Sequence, residues 1–180
     1  RQSDLFTVWQ QAKAQGLATP NIGLLTDMIC CPGGDFCSLA NAKSIPIAAA
    51  IAYRFENIDF QHDIGEIELN MSGCINACGH HHVGHIGILG VDKDGSEWYQ
   101  VSLGGAQGNN AAIGKIIGPS LAAQQMPEVI QRLLDVYVRD RIEGERFIDT
   151  AQRLGLGPFK EHVYATPIAA GVLAGEDAYA

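Results

Sequence analysis

Apolar residues recur with helical spacing near both ends of the chain. Residues 127–141 place a stripe of apolar side chains on one face, which predicts an amphipathic helix. Residues 4–15 predict another helix, with Ser3 as its N-cap and Gly16 as its stop signal. Beyond the amphipathic helix, the pattern predicts two more helical segments, a helix over 145–154 and a short turn near 158–162.

Strand-like alternation marks the middle of the chain. Residues 66–71 alternate with a period of two, which predicts a strand with one buried face. Residues 87–91 and 97–103 predict two further strands, joined by a turn at 92–95 that contains an Asp-Gly hairpin signal. The centre of the chain is therefore expected to form a β-sheet.

The stretch that precedes these strands combines apolar runs with turn-forming residues. Residues 22–31 predict a buried strand, and Asp35 can cap a helix over 36–51. A break or second start of this helix is expected at 44–46, where proline follows serine and isoleucine. Because the predicted strands and helices are segregated along the chain, we expect an α+β fold in which helices flank a mixed β-sheet.

The bulk composition is that of a globular domain and limits what the chain can bind. With 180 residues, the chain can form one domain over 1–165, followed by a small apolar tail over 166–180. The formal charge of -8 argues against nucleic-acid partners, which require a basic surface. Neither a membrane-spanning apolar run nor a secretory signal pattern is found, so we expect no membrane partner and a cytoplasmic location.

Four of the five cysteines form two closely spaced pairs. Five residues separate Cys31 from Cys37, and three separate Cys74 from Cys78. Each pair lies on a predicted strand-to-helix turn, which can aim four thiolates at one point. Thiolates bind iron–sulfur clusters and zinc, whereas unliganded cysteines are often simply buried. Spacing alone leaves these three alternatives open, while Cys30 is expected to face away from Cys31 and pack in the core.

Residues 30–40 and 70–82 together resemble the nitrite/sulfite reductase family, whose members combine sirohaem with a 4Fe-4S cluster. The first segment reads Cys-Cys-Pro-Gly-Gly-Asp-Phe-Cys-Ser-Leu-Ala, and the second reads Asn-Met-Ser-Gly-Cys-Ile-Asn-Ala-Cys-Gly-His-His-His. The resemblance extends over 22–165, with further matches at 87–90, 103–105 and 144–147. It implies the family's 4Fe-4S domain fold and a role in the six-electron reduction of sulfite to sulfide or nitrite to ammonia.

The resemblance also implies roles for individual residues. Cys31, Cys37, Cys74 and Cys78 would hold the cluster, and Cys78 would also bridge to the sirohaem iron. Three more residues are expected near the sirohaem: Asn76 at the haem face, His80 within a polar lining of histidines, and Lys115 beside a sirohaem carboxylate. Two alternatives to these sirohaem contacts stay open. The histidine group could form a separate zinc site, and Lys115 could be a solvent-exposed lysine without a partner.

Cationic residues are missing where an anion-reducing site would need them. No Lys or Arg occurs between residues 14 and 42 or between 55 and 92, although these stretches contain every expected cluster ligand. A site that binds sulfite or nitrite needs cations to stabilise the anion. We therefore expect the catalytic pocket to come from a preceding N-terminal half of a larger reductase, of which this chain is a C-terminal portion.

Three function hypotheses follow from the sequence. The first is the cofactor-binding part of a sirohaem-dependent reductase, supplied with electrons by ferredoxin or a flavoprotein. The second is a haem-free iron–sulfur electron-transfer module, and the third is a structural zinc-binding domain. Precorrin-modifying oxygenases share related cysteine motifs and form a minor alternative. Either cofactor can be absent from the isolated chain.

Overall fold

A five-stranded mixed sheet forms the centre of the protein, described for residues 1–168 by a computed structural model. The spatial order of the strands follows the sequence, from β1 to β5. The pairs β1–β2 and β2–β3 are parallel, whereas β3–β4 and β4–β5 are antiparallel. The expected mixed sheet is thereby confirmed. The strands are β1 (Ile29–Cys30), β2 (Leu69–Ser72), β3 (Ile86–Lys93), β4 (Ser96–Leu103) and β5 (Lys115–Ile116).

Helices complete the α+β fold, and the longest of them contributes buried side chains to the same core as the sheet. None of the helices described within residues 1–168 is long and apolar enough to span a membrane. The predicted tail over 166–180 lies, from residue 169 onward, outside the described residues. The helices are α1 (Leu5–Ala14), α2 (Gly33–Phe36), α3 (Ile45–Arg54), α4 (Ile58–Ile64), α5 (Met126–Asp140), α6 (Phe147–Leu154) and α7 (Gly157–Tyr164).

The hydrophobic core lies between the sheet and helices α3, α5, α6 and α7. Leu69 and Met71 of β2 and Ile67 before it are all buried in this core, as expected from their alternation. The strand itself starts at Leu69, three residues later than predicted, and both of its faces are buried. The apolar stripe of α5 packs here as well, with Leu133 and Leu134 fully buried. This core fixes the sheet on which the cysteine segments are mounted.

The opposite face of the sheet is built from small and polar residues. Asn70, Gly87 and Ser102 lie side by side on β2, β3 and β4, because each is the register partner of the next. The Asn70 side chain donates a hydrogen bond of 3.1 Å to the carbonyl oxygen of His80. The segment that follows β2 therefore folds back over this polar face, and the small residues leave room for it.

The predicted buried strand over 22–31 is wrong for most of its length. Only Ile29 and Cys30 pair with β2, opposite Asn70 and Met71. The residues before them form turns, and Ile22 is 91% exposed. An apolar run alone does not make a strand, since the backbone must also find a partner strand along its length.

The predicted helix over 36–51 is wrong in its first half and correct in its second. Helix α2 ends at Phe36, and α3 starts at Ile45, at the expected second start. Asp35 lies inside α2 and caps no helix; its carboxylate lies 3.5 Å from the Lys43 ammonium. The amides of residues 41 and 42 donate to Gly73, so this stretch binds the end of β2 instead of forming a helix.

The N-terminal helix is confirmed, but its predicted cap is wrong. The Ser3 hydroxyl donates to Asp4, and the helix follows a single 3-10 turn at Gln2–Asp4. Two elements escaped the sequence analysis, α4 and β5. The start of α4 carries a recognisable signal, since the Asn57 side chain accepts a hydrogen bond from Phe60 N as an N-cap does.

Candidate functional site

The two cysteine pairs leave the sheet at the same edge. Cys31 follows β1 directly, and Cys74 comes shortly after the end of β2. These strands are parallel neighbours, so their carboxyl ends lie together. The Cys31 amide still donates to the Met71 carbonyl oxygen at 3.1 Å, which keeps the first pair beside β2 as the chain leaves the sheet.

Gly73 is the point of contact between the two cysteine segments. Its amide donates a hydrogen bond of 3.0 Å to Cys31 Sγ. Its carbonyl oxygen accepts from the amides of Asn41 and Ala42, at 2.9 and 3.1 Å. A side chain at this position would come within 2.6 Å of the Ala42 carbonyl oxygen, so the approach requires glycine. The structure thus brings the segment around Cys31 and Cys37 against the segment around Cys74.

The second pair is held in a tight turn that exposes its last member. The Ala77 amide donates to the Cys74 carbonyl oxygen at 3.2 Å, and Ala77 has a left-handed backbone with φ 57°. The Gly79 amide donates to the Ser72 hydroxyl at 3.1 Å. Cys74 is buried, whereas Cys78 is exposed, as is Asn76. Cys78 is therefore accessible to a second group outside the protein.

The five cysteines form no disulfide, and their burial ranges from buried to exposed. Cys31 and Cys37 are partly buried, between the extremes of Cys74 and Cys78. Cys30 packs against the core as predicted, and burial is the main cause that raises the pKa of its thiol. Its environment therefore disfavours a thiolate, which is the form that metals bind.

No single-ion metal site is formed by the residues that the structure describes. Among residues 1–168, no three His, Cys, Asp or Glu side chains are close enough together to hold one ion. A tetrahedral zinc site needs four sulfurs only about 3.8 Å apart, given a zinc–sulfur distance of about 2.3 Å. A cluster of several irons holds its thiolates farther apart, and the cysteine segments are adjacent without forming such a compact site.

Ser44 is a site residue that the sequence analysis missed. It is fully buried, and its hydroxyl donates a hydrogen bond of 2.6 Å to the Cys31 carbonyl oxygen. The same hydroxyl lies 3.7 Å from Cys31 Sγ. The position before Ile45 and Pro46 suggests only a helix cap, yet the side chain caps no amide of α3. Its role is to fix Cys31 at the end of β1.

Replacing Ser44 with alanine is expected to lower the free energy of unfolding by about 1 kcal/mol, since the partly buried Cys31 carbonyl oxygen loses its shorter hydrogen bond and keeps only the one from Cys30 Sγ. Ser120→Ala is the matched control, because the Ser120 hydroxyl is buried with no hydrogen-bond partner among the described residues. Urea unfolding of both variants measures the difference. A cost for Ser44→Ala no larger than that for Ser120→Ala would show that the bond to Cys31 contributes nothing.

The histidine group lies beside the cysteine turn, with its rings in different orientations. His80 is exposed and has a left-handed backbone with φ 52°. The rings of His81 and His82 meet edge to face, with centroids 5.4 Å apart. Burial, and next the neighbouring His82, lower the pKa of His81. Among the described residues, His81 Nδ1 is buried without a hydrogen-bond partner.

His85 and Lys115 stand at the other end of the histidine group. His85 is buried, and its Nδ1 accepts a hydrogen bond of 3.2 Å from the Glu68 amide. Burial lowers the pKa of His85, although the nearby Glu68 carboxylate acts in the opposite direction. Lys115 is exposed on β5, directly after Gly114, whose amide donates to the His82 carbonyl oxygen at 2.8 Å. Lys115 therefore follows directly after a residue that contacts the histidine group.

Lys43 and Arg54, the Lys and Arg residues between the two cysteine pairs in the sequence, are both engaged in ion pairs. Lys43 lies 3.5 Å from Asp35, and the Arg54 guanidinium lies 2.7 Å from Glu128 on α5. Both pairs are partly exposed, so they contribute little stability. Both cations are therefore already paired with carboxylates of this chain.

Comparison with known proteins identifies similar sequences over most of the chain. The family model described as nitrite and sulphite reductase 4Fe-4S domain matches residues 24–168. Sulfite reductase (ferredoxin) 2 of Mycolicibacterium paratuberculosis is 30% identical over 151 residues, which cover 78% of this chain and 27% of that protein. The assimilatory ferredoxin-dependent nitrite reductase of Haloferax mediterranei is 26% identical over 145 residues, covering 78% and 24% respectively.

A solved structure shares the fold. The Mycobacterium tuberculosis NirA protein superimposes with a TM-score of 0.72 and 26% sequence identity, covering 87% of this chain and 30% of that one. The chain spans about a quarter of the length of the two relatives. The similarity therefore concerns one part of larger proteins.

Proposed function

Because the chain belongs to the nitrite and sulphite reductase 4Fe-4S domain family, we propose that Cys31, Cys37, Cys74 and Cys78 bind one 4Fe-4S cluster. The family expected from the two cysteine motifs is thereby confirmed. The observation that carries the cluster assignment is the Gly73 amide, which donates to Cys31 Sγ at 3.0 Å, one residue before Cys74. An N–H group directed at a ligand sulfur stabilises its thiolate form.

The donor set supports an iron–sulfur cluster over the zinc alternative. Four cysteines on two adjacent segments match the ligand number of a four-iron cluster. The glycine at position 73 allows the two segments to approach without a side chain between them. These features together fit a bulky anionic group better than one zinc ion.

We further propose that the exposed side of this site receives sirohaem. Cys78 is the exposed cysteine of the four and is the one that the family resemblance assigns to the bridge. Asn76 and His80 are exposed next to it and can offer polar contacts to the same group. Lys115 is exposed near the histidine group and is the proposed partner of a sirohaem carboxylate. When bound, the two cofactors would supply electrons and a substrate-binding iron.

The proposed reaction is the reduction of sulfite or nitrite by a larger protein that contains this chain. The relatives are named as sulfite and nitrite reductases, and both names include ferredoxin. The proposed electron donor is therefore ferredoxin, with a flavoprotein as the alternative. Lys43 and Arg54 are paired with Asp35 and Glu128, which supports a substrate pocket whose cations come from a preceding N-terminal half.

The whole reductase is the right protein for the activity test. We expect the full-length parent, given a strong chemical reductant, to reduce sulfite, nitrite or both, with product measured as sulfide or ammonia. A Cys78→Ser variant of the same parent is the matched control and should lose most of the turnover. Absence of activity on both anions in a parent loaded with both cofactors would contradict the proposed reaction.

The isolated chain is expected to bind sirohaem weakly, because no Lys or Arg occurs between residues 14 and 42 or between 55 and 92, where the proposed cluster ligands lie. Sirohaem carries several carboxylates, while this chain has a formal charge of -8. Titration of the purified chain with sirohaem, followed by gel filtration, measures the retained fraction. A stoichiometric green complex that survives the column would show that this chain alone forms the haem site.

A further inference from the structure

We infer that Tyr99 and Glu97 on β4 are positioning residues for the segment that carries Cys37. Neither residue belongs to a cysteine motif, and both lie more than fifty residues from Cys37 in the sequence, at positions 97 and 99. The inference rests on the proposed cluster site, since it assigns these residues the task of holding one of its ligand segments in place.

The contacts centre on Lys43, which ends the segment after Cys37. The Tyr99 hydroxyl lies 2.7 Å from the Lys43 carbonyl oxygen and 3.0 Å from Glu97 Oε2. The Lys43 amide donates to the same Glu97 oxygen at 3.2 Å. Both backbone groups of Lys43 are therefore bound to β4, and its ammonium lies 3.5 Å from Asp35 inside the same segment.

The residue before Lys43 is packed just as closely. Gly90 is the register partner of Tyr99, and a side chain on Gly90 would come within 2.7 Å of the Ala42 methyl group. The Ala42 amide donates to Gly73, beside Cys74. One short stretch thus connects β4 on one side with the second cysteine pair on the other. Movement of this stretch would shift Cys37 relative to Cys74.

The surroundings of Tyr99 fix the position of its hydroxyl and keep it protonated, so that it can donate a hydrogen bond. Its ring is buried in the core, so the hydroxyl is held at a fixed place on the sheet. Burial, and next the Glu97 carboxylate, raise the pKa of Tyr99 far above neutral pH. The hydroxyl therefore keeps its proton and remains able to donate to Lys43. Glu97 is exposed, so substitution there leaves the core intact.

Hydrogen exchange of the cofactor-free chain tests the inference without relying on the cluster. In Tyr99→Phe and Glu97→Ala, we expect amides in residues 37–44 to exchange about fivefold faster, the factor that corresponds to a lost hydrogen bond of about 1 kcal/mol. Glu97→Gln keeps an acceptor oxygen and should stay within about twofold of the wild type. Tyr137→Phe is the matched control, because Tyr137 is buried and its hydroxyl also bonds backbone carbonyls, of Ile64 and Glu145.

A second measurement tests whether Tyr99 and Glu97 also stabilise the bound cluster. After anaerobic reconstitution, Tyr99→Phe and Glu97→Ala should release iron to a chelator several-fold faster than Tyr137→Phe. The inference would be overturned if amides of residues 37–44 exchanged no faster in Tyr99→Phe and Glu97→Ala than in Tyr137→Phe. If no variant takes up a cluster, the proposed cluster site fails, while the exchange data still decide whether Tyr99 and Glu97 hold the segment.

Discussion

Cys74→Ser is expected to abolish assembly of the cluster, with less than about one tenth of the iron and acid-labile sulfide of the wild type after anaerobic reconstitution. Serine places a poorly ionised hydroxyl where iron requires a soft thiolate. Cys74 is buried and lies directly beside Gly73, whose amide donates to Cys31 Sγ.

Cys30→Ser is the control for this experiment, since Cys30 is the immediate neighbour of Cys31 and packs against the core. It should keep the full iron and sulfide content, although its unfolding free energy can fall because a hydroxyl replaces a buried thiol. Equal iron content in Cys74→Ser and Cys30→Ser would contradict the proposed ligand set.

Gly79→Ala is expected to destabilise the protein by about 3 kcal/mol, the upper end of the range for overpacking a close contact. A methyl group at Gly79 would overlap the carbonyl oxygen of Met71 and approach the Ser72 hydroxyl within 3.1 Å. Met71 belongs to β2, which is paired with a strand on each side and cannot give way, so the turn that carries Cys78 would be pushed off the sheet. A cost of this size is a large share of the 5–15 kcal/mol typical of a domain.

Urea unfolding compares Gly79→Ala with Gly157→Ala. Gly157 begins α7, has an ordinary backbone conformation and has nothing within 4 Å of an added methyl group. Gly157→Ala should therefore be neutral or slightly stabilising. If both variants unfold at the same urea concentration, the close packing of the Cys78 turn on β2 does not constrain this glycine.

The sequence predicted best those elements whose signals are local. The apolar stripe of α5 repeats over four turns, and the Asp-Gly turn joins β3 to β4 as expected. The second start at Ser44 was also correct, because proline in the first turn of a helix leaves a local mark. These features depend on residues close together in the chain, so periodicity and turn chemistry were sufficient.

The elements that the sequence missed depend on distant partners. Residues 37–44 are apolar enough to resemble a helix, but their amides bind Gly73 and Glu97, which no local pattern reveals. Of the strand predicted over 22–31, only Ile29–Cys30 forms a strand, since β2 offers register partners only there. Tertiary hydrogen bonds therefore decided the local structure in both places.

In the candidate site, too, the residues of local motifs could be predicted, whereas residues that act on distant segments could not. The four motif cysteines were identified from the family resemblance, and the structure places the segments around Cys31 and Cys74 in contact through Gly73. The supporting residues Ser44, Glu97 and Tyr99 could not be predicted, because each acts on a segment that the fold alone brings near. Their assignment required the three-dimensional structure.

The central claim is that Cys31, Cys37, Cys74 and Cys78 together bind one cluster. Native mass spectrometry of the chain, reconstituted and kept without oxygen, measures this directly. We predict a mass increase equal to one four-iron, four-sulfide cluster, retained in Cys30→Ser. An increase equal to a single zinc ion, or no increase at all, would contradict the claim.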